Sequence, residues 1–153
     1  MKNLWNKLID MPPVWLVFFM IIAYVQTRVF NPLGFTSSGT NLAGWILIVL
    51  GFIVFGWSIA LFRSHDTSIK PRNTPSAFIA QGPYKFSRNP IYLADAAILL
   101  GFILLQGSII GIILVPIFMR VITVRFIVGE EAGLIVLFPD EFADFCRKTR
   151  RWI

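Results

Sequence analysis

The sequence predicts an all-α integral membrane protein with four transmembrane helices. Hydrophobic residues make up 56% of its 153 residues and charged residues only 14%, whereas soluble domains carry about 25% charged residues. Four apolar segments follow one another, at about 11–27, 42–62, 91–106 and 108–129. The sequence shows neither β-strand alternation nor an internal repeat. We therefore expect residues 1–153 to form a single membrane domain built as a helical bundle.

The first apolar segment begins at residues 11–13, which read Met-Pro-Pro. Proline suits a first helical turn because it has no N–H to leave unpaired there. Lys2 and Lys7 precede the segment, as basic residues precede a signal peptide, but no small-residue cleavage site follows it. We expect this segment to be a retained transmembrane helix.

The second and fourth segments are long enough to span a bilayer, which takes about 20 residues, and the other two are marginal. Glycines Gly44, Gly51 and Gly56 in the second segment predict close approach of another helix. Residues 106–108 read Gln-Gly-Ser, which indicates a tight turn. The third and fourth segments should therefore form an antiparallel helical hairpin.

Basic residues are unevenly distributed across the predicted membrane. All of the 14 Lys and Arg residues except Arg28 fall on the side that holds both termini and the 63–90 loop. The positive-inside rule makes that side cytoplasmic. The net charge of +6 then faces one membrane surface and attracts anionic lipids. No soluble domain presents a groove to nucleic acid, and no Cys or His spacing predicts a metal site.

The 63–90 loop and the tail at 130–153 carry apolar residues that predict an ordered structure. A 28-residue connection is long for a compact protein, but Phe78, Ile79 and Tyr84 offer it apolar contacts. Within the tail, residues 139–148 predict a helix with acidic residues first and basic residues last, which suits the helix dipole. Its aromatic residues Phe138, Phe142 and Phe145 share one face. We expect loop and tail to pack together at the inner end of the bundle.

Polar motifs at the cytoplasmic side carry a family resemblance. Residues 82–92 read Gly-Pro-Tyr-Lys-Phe-Ser-Arg-Asn-Pro-Ile-Tyr, Glu130-Glu131 ends the fourth segment, and 138–142 and 150–153 read Phe-Pro-Asp-Glu-Phe and Arg-Arg-Trp-Ile. In this order and spacing, they resemble the isoprenylcysteine carboxyl methyltransferase and phospholipid methyltransferase superfamily, and especially its small bacterial members. The resemblance covers about residues 63–153; the first two segments match only as hydrophobic spans.

This resemblance implies an S-adenosyl-L-methionine-dependent methyltransferase of the bacterial inner membrane, with its cofactor at the cytoplasmic face and a lipophilic small molecule or lipidated acceptor as substrate. The positions that match the family's cofactor pocket are Phe78, Ile79, Gly82, Tyr84, Arg88, Asn89, Pro90, Tyr92, Glu130 and Glu131.

The chemistry of the cofactor agrees with these residue types. Its α-ammonium needs an acidic acceptor, which Glu130 or Glu131 offers. Its carboxylate can accept N–H groups from the helix start that follows Asn89. Tyr84 or Tyr92 can pack on adenine or face the sulfonium through a cation–π contact. Methyl transfer is an in-line displacement, so alignment and exclusion of water supply most of the acceleration.

Two departures from the family pattern affect the reaction. Asn89 stands where many relatives have His, which removes a proton-handling group from that position. Val128 and Gly129 precede the glutamate pair where relatives often carry an arginine, and the nearest arginines here are Arg120 and Arg125.

We therefore assign the acceptor site to Arg120, Arg125 and Asp95, and direct catalytic contact to Arg125 and Glu130. Asp95 and Arg125 lie at similar predicted depths, which favours an ion pair between them. A lipophilic acceptor should reach the site from the bilayer, between the second helix and the hairpin formed by the third and fourth.

Three functions stay open at this stage. Carboxyl O-methylation of an isoprenylcysteine-like or other lipophilic acid comes first on the family resemblance, and it needs no base because a carboxylate is already nucleophilic. A phospholipid N-methyltransferase would need a base, and Glu130, Glu131, Asp95 and His65 are the candidates. A non-enzymatic membrane subunit or small transporter is the third possibility. The absence of a Gly-x-Gly-x-x-Gly fingerprint excludes a Rossmann methyltransferase.

Overall fold

The computed structural model describes residues 11–65 and 77–153, which fold as an all-α membrane protein. The helices are α1 (Pro12–Val29), α2 (Ser38–Ser64), α3 (Pro90–Gln106), α4 (Ile110–Leu137) and α5 (Pro139–Lys148), with a 3₁₀ turn at Gly82–Lys85. Helices α1, α2 and α4 are long and apolar enough to cross a bilayer. At 17 residues, α3 is about 26 Å long, slightly less than the hydrocarbon core.

Local sequence explains where the first two helices begin. Pro12 and Pro13 occupy the first turn of α1. Helix α2 begins earlier than expected, at Ser38, because Ser37 and Thr40 form a capping box. The Ser37 hydroxyl accepts from the Thr40 N–H at 3.1 Å, and the Thr40 hydroxyl accepts from the Ser37 N–H at 3.0 Å.

The hairpin between α3 and α4 is confirmed. Gly107 ends α3 in the left-handed conformation, with φ of 65°. A Cβ at this position would overlap the carbonyl oxygen of Phe35. Glycine is therefore required both by the backbone angle and by the close approach of the segment that joins α1 and α2.

Helix α3 lies in the middle of the bundle, with α2 on one side and α1 and α4 on the other. Its contact with α2 is very close, because a Cβ at Gly44 would meet the carbonyl of Gly101 at 2.9 Å, and one at Gly51 would meet Ile98 at 2.6 Å. The predicted role of these two glycines is confirmed. For Gly56 it is wrong, since no atom of another described helix lies within 4 Å of a Cβ there.

This packing limits where the acceptor could pass between the second helix and the hairpin of the third and fourth, a route that stays a prediction. A passage between the second helix and the third is closed along Gly44 and Gly51, where backbone and side chains are already in contact. The opposite face of α3 is closed by the main core, which comprises Phe19, Ala23, Tyr92, Ala96, Leu99, Ile103, Phe118, Ile122, Phe126 and Ile127.

Helix α4 is irregular and longer than expected. Pro116 lacks the N–H that a regular helix would use in its first turns, and a 3₁₀ turn at Ile110–Ile113 precedes the α-helical part. A π turn follows at Thr123–Ile127. The helix then runs through the glutamate pair to Leu137, so the predicted end at residue 129 is wrong. It ends where Pro139 disfavours a helical conformation for Phe138.

The loop and the tail pack together as predicted. Ile79, Tyr84, Phe142 and Phe145 form a second buried cluster. The Phe78 ring lies 5.4 Å from that of Phe145 and 5.7 Å from that of Phe138. The early part of the loop, residues 66–76, lies outside the described residues, as do Lys2 and Lys7.

Candidate active site

A cleft opens where the end of α2, the loop, the second half of α4 and α5 meet. The space within it, including the part open to solvent, is about 360 Å³. Its lining residues are Phe62, Ala77, Phe78, Ile79, Tyr84, Arg88, Leu134 and Phe145. Four residues predicted from sequence for the cofactor, namely Phe78, Ile79, Tyr84 and Arg88, therefore face one cavity.

Gly82 fixes the 3₁₀ turn against α2. Its φ is 56°, and a Cβ would lie 2.8 Å from Leu61 and 3.1 Å from Trp57. The turn buries Tyr84, whose ring meets Phe62 edge to face at 6.0 Å. Burial raises the pKa of the Tyr84 phenol, and the charge of Glu130 raises it further. The phenol therefore stays protonated and acts as a hydrogen-bond donor or a neutral ring.

Arg88 places a cationic group on this mostly apolar cleft. Its Nη2 lies 3.4 Å from Glu131 Oε1. Its Nε is buried and has no hydrogen-bond partner among the residues that the structure describes. A buried donor without a partner costs free energy, so Arg88 has capacity to bind an anionic group in the cleft.

Asn89, also predicted to contact the cofactor, uses its side chain to hold the C-terminal segment. Its Nδ2 donates to the carbonyl oxygen of Arg151 at 3.0 Å. The Ser87 hydroxyl donates to the same oxygen at 3.3 Å and accepts from the Asn89 N–H at 3.1 Å. Pro90 follows as the buried first residue of α3.

The two adjacent glutamates have different partners. The Tyr92 hydroxyl donates to Glu130 Oε1 at 2.7 Å. Glu131 instead accepts two hydrogen bonds from Arg151. Arg151 Nε donates to Glu131 Oε1 at 3.1 Å, and Arg151 Nη2 donates to Glu131 Oε2 at 2.5 Å. The hydrogen bond to Glu131 raises the pKa of the Arg151 guanidinium. With Arg88 also beside it, the charge of Glu131 is already balanced by two cations.

The residues assigned to the acceptor lie apart from this cleft. Arg120 and Arg125 are exposed, and the Arg125 guanidinium lies 5.1 Å from the centre of the Trp15 ring on α1. Asp95 is 3% exposed, and its Oδ2 finds no hydrogen-bond partner in the described part of the chain. The predicted Asp95–Arg125 ion pair is wrong, because the Arg125 side chain lies against α1 instead.

Sequence reasoning missed the C-terminal segment as part of the site. Besides the contacts of Arg151, the Arg150 carbonyl accepts from the Arg88 N–H at 2.9 Å. The Trp152 Nε1 donates to the Thr123 hydroxyl at 3.3 Å, in the π turn of α4. The available indication was charge complementarity: a basic tail and a glutamate pair fall on the same predicted side of the membrane.

A sequence model of the phospholipid methyltransferase family matches residues 40–141. This range runs from the first turn of α2 into α5 and includes every residue that lines the cleft except Phe145. Comparisons with curated proteins and with solved structures gave no significant match.

Proposed function

The chain belongs to the phospholipid methyltransferase family, and we propose that it transfers the methyl group of S-adenosyl-L-methionine to a lipophilic acceptor at the cytoplasmic membrane face. Family membership, together with its membrane helices, makes it a membrane methyltransferase of the kind that acts on lipids. The donor, the acceptor group and the side of the membrane are the proposed part.

The single observation that supports this function best is the pairing of apolar walls with Arg88 in one cleft. Phe62, Phe78 and Ile79 suit a flat adenine, and the buried, unpartnered Nε of Arg88 suits a carboxylate. Glu130, held by Tyr92, suits an ammonium group. Aromatic wall, cation and carboxylate are what an adenosyl amino acid requires, so the residues present fit the cofactor.

When bound, S-adenosyl-L-methionine supplies an electrophilic methyl group attached to a sulfonium. The chain's own residues align the reactants and exclude water. Arg88 binds the carboxylate, and Glu130 accepts from the ammonium. Phe78 and Phe145 close the apolar side of the cleft. Tyr84, neutral and buried, provides a wall that does not compete for the methyl group.

Two acceptor groups remain candidates, and different observations favour each. The family match favours the amine of a phospholipid. The base that deprotonates its ammonium would be Asp95, which is buried on the same helix as Tyr92, or Glu130, which accepts from the Tyr92 hydroxyl. A lipophilic carboxylic acid, such as an isoprenylcysteine, needs no base, and the exposed Arg125 offers it a cation at the membrane-facing surface of α4.

Binding of S-adenosylhomocysteine to the purified protein tests the cofactor site. Arg88→Ala should weaken binding by about tenfold or more, because a charge-assisted hydrogen bond is lost. Lys85→Ala is the matched control, since Lys85 lies in the neighbouring turn with an exposed side chain, and it should leave the affinity within about twofold. Equal affinities for wild type and Arg88→Ala would refute the assignment of the cleft.

Product analysis tests the acceptor. The protein in lipid nanodiscs is given methyl-deuterated S-adenosyl-L-methionine, and phosphatidylethanolamine and a prenylated cysteine are offered in parallel. Mass spectrometry then shows which product carries the label. Labelled phosphatidylethanolamine alone establishes the amine class, and a labelled methyl ester establishes the acid class. A protein that binds the cofactor but labels neither has a different acceptor.

A further inference from the structure

We propose that Arg151, three residues beyond the end of α5 at Lys148, is a positioning residue for the cofactor pocket: by holding Glu131, it leaves Arg88 available to the ligand. This inference rests on the proposed function. It concerns the C-terminal segment Arg150–Trp152, which the family match does not cover.

Three hydrogen bonds join the C-terminal segment to the loop that enters α3. The Arg150 carbonyl accepts from the Arg88 N–H at 2.9 Å. The Arg151 carbonyl accepts from Ser87 Oγ at 3.3 Å and from Asn89 Nδ2 at 3.0 Å. Because these contacts involve three consecutive loop residues, the segment fixes the backbone from which the Arg88 side chain extends.

A second anchor holds the segment against α4. Trp152 packs against the main core, and its Nε1 donates to the Thr123 hydroxyl at 3.3 Å. With Arg150 bound to the loop and Trp152 bound to α4, the Arg151 side chain lies between two fixed points. It is therefore directed at Glu131.

The ion pairs explain how Arg151 acts on Arg88. Glu131 is 12% exposed at its side chain and Arg88 15%, so their charges interact strongly. Arg151 donates hydrogen bonds to both carboxylate oxygens of Glu131, at 3.1 and 2.5 Å. Arg88 has one contact with Glu131, from its Nη2 to Oε1 at 3.4 Å. Without Arg151, the Glu131 carboxylate would be free to form a two-point pair with Arg88. Arg88 would then lose its capacity for a carboxylate in the cleft.

The ligand group that this arrangement recognises is the carboxylate of the amino-acid part of the cofactor. S-Adenosylhomocysteine carries that part, and 5′-methylthioadenosine lacks it but keeps adenine, ribose and sulfur. The ratio of the two affinities therefore measures how much Arg88 contributes to binding the carboxylate. If Arg151 had only a structural role, its replacement would weaken the binding of both ligands equally and leave the ratio unchanged.

Calorimetric titration of the full chain in detergent with both nucleosides tests the inference. We expect Arg151→Ala to lower the affinity ratio by about tenfold or more, with 5′-methylthioadenosine affinity within about twofold of wild type. Arg88→Ala should have the same effect, and the double variant no greater one. Arg150→Ala is the control, because the exposed Arg150 contributes its carbonyl and not its side chain; its ratio should equal that of wild type.

Arg151→Lys provides a second variant that keeps the charge but cannot make the two-point contact, so the ratio should fall part of the way. An unchanged ratio in Arg151→Ala, or an equal loss for both nucleosides, overturns the inference. If Arg151→Ala does not fold, Arg151→Lys decides, and an unchanged ratio there overturns it. Wild-type protein that binds neither nucleoside refutes the proposed function itself, which distinguishes the two failures.

Discussion

Two glycines of α2 allow the close helix packing to be tested with the same substitution. Gly51 faces α3, where a Cβ would lie 2.6 Å from Ile98 Cγ1 and 3.0 Å from the Ala94 carbonyl oxygen. Gly56 lies one and a half turns further along the helix, is exposed, and has open space around it in the described structure. Gly51→Ala and Gly56→Ala therefore differ in their surroundings and not in their chemistry.

The expected difference follows from two opposing contributions. Alanine favours a helix interior over glycine by about 1 kcal/mol, so Gly56→Ala should stabilise the protein by up to that amount. At Gly51 the same gain is opposed by overpacking, which costs about 1–3 kcal/mol, because one of the atoms met is a backbone oxygen that cannot rotate away. The two variants should thus differ in stability by about 1–3 kcal/mol, with Gly51→Ala the less stable.

Thermal denaturation of both variants in one detergent, followed by tryptophan fluorescence, measures this difference. Gly51→Ala should also weaken S-adenosylhomocysteine binding, because α2 carries Trp57 and Leu61, which contact Gly82 at the cleft. Gly56→Ala should bind as wild type. If both variants gain stability equally, helices α2 and α3 are not packed as closely as described. An acceptor could then pass between them.

Four further changes test the site. Gly82→Ala should weaken S-adenosylhomocysteine binding in titration, because alanine is strained at φ of 56° and its Cβ would press on Leu61. Glu130→Gln should weaken it by about 1.5–3 kcal/mol through loss of the charge that accepts the ammonium; affinity within twofold of wild type would retire that role. Arg125→Ala should raise the acceptor KM in turnover assays and spare cofactor affinity, and unchanged turnover would make this residue structural. Tyr84→Phe should leave the pH profile of activity unchanged between about pH 6 and 9, because burial raises the pKa of this phenol and keeps it neutral throughout; a lost alkaline limb would contradict this.

The features that the sequence predicts well depend on local signals. Apolar length identifies α1, α2 and α4 as membrane helices, and Gly107 marks the hairpin because its backbone angle excludes other residues. The packing of Phe78 against α5 was predictable because consecutive apolar residues in a polar loop are stabilised by burial against another apolar surface. In each case, the information lies within a few residues of the feature.

The features that the sequence does not predict depend on contacts between distant residues. Arg151 and Glu131 are 20 residues apart, and nothing in their spacing chooses this pair over Arg150 or Arg147. The π turn at Thr123–Ile127 changes the direction of the side chains within it and after it, so depth along an ideal helix could not show that Arg125 faces Trp15. The extension of α4 past residue 129 has a different reason: Pro139 marks its end, whereas a pair of adjacent glutamates is typical of a membrane boundary.

Glu130 and Glu131 show why residue type alone could not assign the site. Neighbouring residues on a helix point about 100° apart, so two adjacent glutamates cannot contact the same ligand group equally. Glu131 turns to Arg88 and Arg151, whose two charges already balance its own. Glu130 accepts from the hydroxyl of Tyr92, a neutral donor. The proposed function accordingly assigns the cationic part of the ligand to Glu130, whereas Glu131 acts through the arginine beside it.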